Sequence, residues 1–132
     1  MKKERRVVNA ITRALRRDGF LVATEVANFY RSADIAAIDQ NGQVWIIECK
    51  ISNIGQAIVQ SRTHRLSANR VYIGVPQRKM RPTTLEKVRQ AGIGLIYVRS
   101  DGSIFTALEE PAGNTPSRFA NANLRKRILE TA

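Results

Sequence analysis

The sequence has 132 residues, 43% of them hydrophobic, enough for one domain with one core and short for two. Its 22 Lys and Arg against 11 Asp and Glu give a net charge of +11, a surplus that points to a polyanionic partner, nucleic acid first. The single cysteine, Cys49, excludes an intrachain disulfide, and no apolar run approaches the roughly 20 residues of a membrane span, so a soluble cytoplasmic protein is expected.

Residues 3–17 carry Val7, Val8, Ile11, Ala14 and Leu15 at helical spacing, with arginines largely on the other positions. Arg13 interrupts this apolar set before it could serve as a signal-peptide core. Asp18-Gly19 closes the helix, with glycine suited to the left-handed position after the last turn. FLVATEVANFY follows and, rich in β-branched and aromatic residues, predicts a strand. Residues 33–39 and 43–50 predict two more strands around Gln40-Asn41-Gly42. A two-residue Asn-Gly turn would set Asp34 opposite Cys49, whereas a three-residue loop with Gly42 left-handed would pair Asp34 with Glu48. The sequence permits both registers. The second is expected because it gathers Asp34, Glu48 and Lys50 at one strand-end cluster.

SNIGQAIVQSRTHRL predicts a helix capped by Ser52 or Asn53, with Ile54, Ala57, Ile58 and Leu66 facing inward. RVYIGVP reads as a strand covered on both faces. TTLEKVRQAG opens with Thr83 and Glu86 at capping-box spacing and closes on Gly92. IGLIYVRS and SIFTALEE flank Asp101-Gly102 as a final hairpin. A loop is expected from Pro111 to Pro116, then a basic helix in RFANANLRKRILE. The order α-β-β-β-α-β-α-β-β implies an α/β fold, a mixed central sheet flanked by helices.

Three charged residues in otherwise apolar strands need a reason, because desolvating each is expensive. Asp34 and Glu48 are hard oxygen ligands of the kind that hold magnesium, normally with waters and a substrate phosphate. The backbone carbonyl of Cys49 lies between Glu48 and Lys50 and offers a further ligand. Lys50, two residues after Glu48, shares its face of the strand. A metal there would polarise a phosphoryl oxygen, and the Lys50 ammonium would orient a water or stabilise growing negative charge. These are the parts of metal-assisted phosphodiester hydrolysis. The competing reading is an ordinary Asp34–Lys50 ion pair at a sheet edge, with Glu48 pointing to water.

Ala33-Asp34, followed after thirteen residues by Glu48-Cys49-Lys50 within an α-β-β-β-α-β order, resembles the PD-(D/E)XK nuclease superfamily. The similarity covers roughly residues 4–76, with Ala33 standing where the motif has proline. It implies a restriction-endonuclease-like αβββαβ core, with residues 1–110 as the nuclease-like domain and 111–132 as a basic C-terminal extension. By the same resemblance, Asp34, Glu48 and the Cys49 carbonyl would bind Mg2+ or Mn2+, and Lys50 would be the catalytic lysine. The implied activity is that of a metal-dependent DNA endonuclease in repair, recombination or restriction. The alternative is a non-catalytic nucleic-acid-binding module or accessory subunit that retains the fold.

Many members carry a glutamine on the helix after the third strand, often followed four residues later by tyrosine. GQAIVQ sets Gln56 and Gln60 at those positions, where the resemblance implies contacts to the DNA backbone or a positioned water; the competing reading is two solvated helix residues. Some members have an earlier acidic residue, a role for which Glu25 is the candidate and Glu4 its competitor. Phosphate contacts are expected from Arg31, Arg62, Arg65, Arg78, Lys79 and Arg81, with Tyr30 and Ser32 beside Arg31 at the cleft mouth. His64, within RTHR, reads as phosphate contact or solvated surface rather than a catalytic base. Trp45 reads as core, and without an aromatic platform for single-stranded bases DNA is favoured over RNA. A homodimer would bring two sites together for symmetric cutting, and a larger DNA-processing complex is the other expected assembly.

Overall fold

The computed structural model describes residues 2–29, 31–110 and 114–132. The expectations placed on Tyr30 and on positions 111–113 lie outside them. In chain order the elements are α1 (Lys2–Arg17), β1 (Leu21–Asn28), β2 (Arg31–Ile38), β3 (Val44–Cys49), α2 (Ile54–His64), β4 (Arg70–Pro76), α3 (Pro82–Gln90), β5 (Gly94–Val98), β6 (Ile104–Leu108) and α4 (Arg118–Thr131). The six strands form one sheet in sequence order. β1, β2 and β3 are antiparallel neighbours, β3, β4 and β5 run parallel, and β6 returns antiparallel to β5. The expected mixed α/β sheet is present.

Each face of the sheet has its own core. On one face lies α1, whose Val7, Ala10, Ile11, Ala14 and Leu15 repeat at helical spacing and are all buried. Of these, Val7, Ala10, Ile11 and Leu15 cluster with Val22, Ile35, Ile47 and Tyr72. The helix comes close to β4 at Gly74, where an added Cβ would sit 2.4 Å from Ile11 Cδ1. On the opposite face, Ile54 and Ala57 of α2, Val88 of α3, and Leu124 and Ile128 of α4 pack over Val44, Ile46, Val71 and Ile73. Leu124 and Ile128 are completely buried, so α4 covers the sheet as part of the same core. Trp45 stacks on Tyr72 with ring centroids 5.1 Å apart, and its Nε1 donates to Asp39 Oδ2 at 2.9 Å. It is a packing residue, as read from the sequence.

Two local expectations fail. Leu66 is 57% exposed, because the inward spacing of α2 runs through Ile54, Ala57, Ser61 and His64. The Thr83–Glu86 capping box is absent: α3 begins two residues earlier, with Arg81 as N-cap and Pro82 at its first position. Glu86 instead accepts bonds from Arg89 and Gln90.

Candidate active site

The hairpin between β2 and β3 sets the site. Its register pairs Ile35 with Ile47 and Ile38 with Val44, so the next position outward places Asp34 opposite Glu48. Gly42 has φ +80° and its N–H donates to the Asp39 carbonyl at 3.0 Å, making the three-residue loop the expected register requires. A two-residue turn would have sent Glu48 to the other face.

β1 and β2 share an irregularity at this level. Pairing runs Thr24↔Ile35 and then Val26↔Ala33, omitting Glu25 and Asp34 between them, and Glu25 has φ +52°. Before this point the strands alternate between the two cores; beyond it Val26 and Ala33 both join the core under α2 and α4. The break frees Asp34 from regular pairing, and it lines a cleft of about 520 Å³ with Glu4, Arg5, Asn9, Thr24 and Glu25. Both acidic candidates, Glu25 and Glu4, therefore share a cleft with Asp34.

Asp34 is half-buried, and the Cys49 N–H donates to its Oδ2 at 2.8 Å. Its pKa is raised from 3.8 to about 7, first by burial, then by the negative charge of and a hydrogen bond with Glu48, against the pull of the Cys49 amide. Glu48, only 5% exposed, receives a hydrogen bond from His64 Nε2 on its Oε1 at 2.6 Å. His64 is completely buried, which corrects its reading as solvated surface. Asn28 Nδ2 donates to His64 Nδ1 at 2.8 Å, so the ring proton is on Nε2, where it faces Glu48. Asn28 also bonds Ser67, and Arg127 donates to the Ala27 carbonyl at 2.7 Å and to Asn28 Oδ1 at 3.5 Å. A polar chain thus runs from α4 through β1 and α2 to Glu48. Sequence reading missed His64, Asn28 and Ser67, although the spacing that buries Ile54 and Ala57 also carries Ser61 and His64 inward.

These bonds engage Asp34 Oδ2 and Glu48 Oε1, and the two carboxylates also bond each other. Among the described residues no group of three or more His, Cys, Asp and Glu is gathered as a metal cluster. Two carboxylates are nevertheless the usual protein contribution to a magnesium site, and the charge of Glu48 adds to burial in raising the Asp34 pKa. The donor set fits such an ion. The Lys50 N–H donates to the Gly74 carbonyl at 2.9 Å, carrying the strand period past Glu48, and its half-buried side chain has no ion-pair partner among the described residues. The ordinary Asp34–Lys50 ion pair is therefore absent. Cys49 is buried, and burial followed by the charge of Asp34 pushes its thiol well above the usual range.

The remaining candidates are dispersed. Gln56 is exposed and accepts from Asn53 Nδ2 at 3.1 Å, within the helix cap that Asn53 provides. Gln60 is half-buried, while Arg31 and Arg62 are exposed. Arg78, Lys79 and Arg81 border a groove with Lys87 between α2 and α3. Arg65 lies over Gly92, outside the residues that touch either carboxylate.

No family model and no curated protein matches the sequence. Among solved structures the chain is similar to SPO1766, a protein of unknown function from Silicibacter pomeroyi, at TM-score 0.75 and 19% identity over 98% of this chain and 86% of that one. That likeness concerns the fold. Among the described residues no helix is long and apolar enough to cross a membrane.

Proposed function

We propose that the protein is a metal-dependent DNA endonuclease with a restriction-endonuclease-like core. The observation that carries this is the Asp34–Glu48 pair: two carboxylates held close enough at the end of a hairpin to share a hydrogen bond, each also anchored through one oxygen, in a chain of net charge +11. The order α1-β1-β2-β3-α2-β4, with an antiparallel meander and then a parallel strand, supports the assignment of the core.

A divalent ion, when bound, supplies Lewis-acid polarisation of a phosphoryl oxygen and a more acidic water. Asp34 and Glu48 are the residues to hold it, with the Cys49 amide and the His64 imidazole fixing how they point. Hydrolysis joins a water oxygen to phosphorus and releases one sugar oxygen. Lys50 is the residue to orient that water, or to neutralise the charge that grows on the phosphoryl oxygens. The role of the activity is repair, recombination or restriction of DNA.

The test is incubation of purified protein with labelled duplex, single-stranded and branched DNA in magnesium or manganese, beside Lys50→Ala. Cleavage by the wild type, lost in Lys50→Ala with DNA binding retained, is the expected result. Binding without cleavage in either metal would identify a non-catalytic module or an accessory subunit instead.

A further inference from the structure

The N-terminal half of α1 separates two clefts of opposite character. One flank, with Glu4, Arg5 and Asn9, faces the cleft that contains Glu25 and Asp34, where three carboxylates outnumber one guanidinium. The other, with Lys3 and Arg6, faces a second cleft of about 570 Å³. Its far wall comes from the residues that follow β3, β4 and β5, namely Ile51, Gln77, Arg78 and Arg99. Parallel pairing through Cys49↔Gly74 and Pro76↔Val98 brings these three strand ends to one edge of the sheet. Four cations from three separate segments therefore converge, and no acidic residue lines the cleft.

Such a gathering of like charge is unfavourable on its own and favours an anion. Among the described residues none of the four cations is in an ion pair. Asp101, beside Arg99 in the chain, instead takes bonds from the Ser103 N–H and hydroxyl at 2.9 and 2.6 Å. Two guanidinium groups are already positioned. Arg78 donates to the Ile51 carbonyl, directly after Lys50, and Arg99 lies 4.2 Å from the Phe105 ring centroid while donating to Ser103 Oγ at 3.3 Å. Each keeps further N–H donors, so little ordering remains when a phosphate arrives.

We infer that this cleft binds the backbone phosphates of the nucleic-acid strand next to the one held at Asp34 and Glu48. The inference rests on the nuclease reading and adds a direction to it. The strand crosses the sheet edge from the carboxylates at β2 and β3 toward Arg78 and Arg99 beyond β4 and β5, with Lys3 and Arg6 on its other side.

The test measures duplex binding by fluorescence anisotropy across a salt series, in chelator, so that no cleavage is needed. Arg6→Ala/Arg99→Ala is compared with Arg17→Ala/Arg118→Ala, which removes the same charge from exposed positions elsewhere. Thermal melting of each confirms folding. The first pair is expected to weaken binding by about tenfold and to lower the salt slope by about 2, while the second leaves the slope unchanged. Equal effects from both pairs, or an unchanged slope in the first, would overturn the inference and leave the nuclease reading standing. Wild type that binds neither this duplex nor single-stranded or branched DNA would overturn both.

Discussion

Asp34 occupies a position that disfavours its own charge. Its folded pKa of about 7 lies above the ordinary 3.8, so between those values the folded chain holds a proton that the unfolded chain has released. The metal-free protein should therefore lose stability as pH rises from about 4 to about 7. Asp34→Asn should flatten this slope and raise the melting temperature at pH 8 while abolishing cleavage, a result that melting curves in chelator would read directly. A variant that melts lower at pH 8 than the wild type would contradict the account. His64 is the residue least legible in the sequence. A lone histidine among arginines looks solvated, and only the partners that folding brings from β1 and β3 give it an interior role. His64→Ala should cost roughly 2–4 kcal/mol in urea unfolding, since it opens a cavity and leaves Asn28 and Glu48 without a shared partner. A loss below about 0.5 kcal/mol, the size of a surface substitution, would mean that the buried network contributes little.

The elements were more legible than the contacts between them. Hydrophobic period and turn residues located every strand and helix, and Gln-Asn-Gly together with the charged residues selected the β2–β3 register. The break opposite Glu25 was not readable, because nothing in TEVAN distinguishes a left-handed glutamate from a regular strand residue. The capping box at Thr83 failed for a related reason: a proline one residue earlier suits the first helical position better than a threonine suits the cap. Gly74, likewise unremarkable in RVYIGVP, is where α1 comes close to the sheet through Ile11. Gly74→Ala should destabilise by about 1–3 kcal/mol, because the new methyl forces the end of the buried Ile11 side chain to move within the core. Unchanged unfolding in urea would show that α1 shifts freely on its sheet.

For the whole molecule, composition indicated one core, where the sheet in fact separates two, and a polyanionic partner, but the sequence could not show how the charges are sorted. Folding places Glu4, Glu25 and Asp34 on one side of α1, and Lys3, Arg6, Arg78 and Arg99 on the other. Nor could the sequence show that α4, read there as part of an extension, supplies Leu124 and Ile128 to the main core and Arg127 to the network behind Glu48. Leu124→Ala should cost roughly 2–5 kcal/mol and lower the single unfolding transition of the whole chain; a separate early transition for α4 would contradict a shared core. The central claim is that Asp34 and Glu48 form a divalent-cation site, and calorimetric titration of Mn2+ into the wild type and Asp34→Asn at pH 8 tests it most directly. The account predicts one saturable ion per wild-type chain and none in the variant. No binding by the wild type, or equal binding by both, would contradict it.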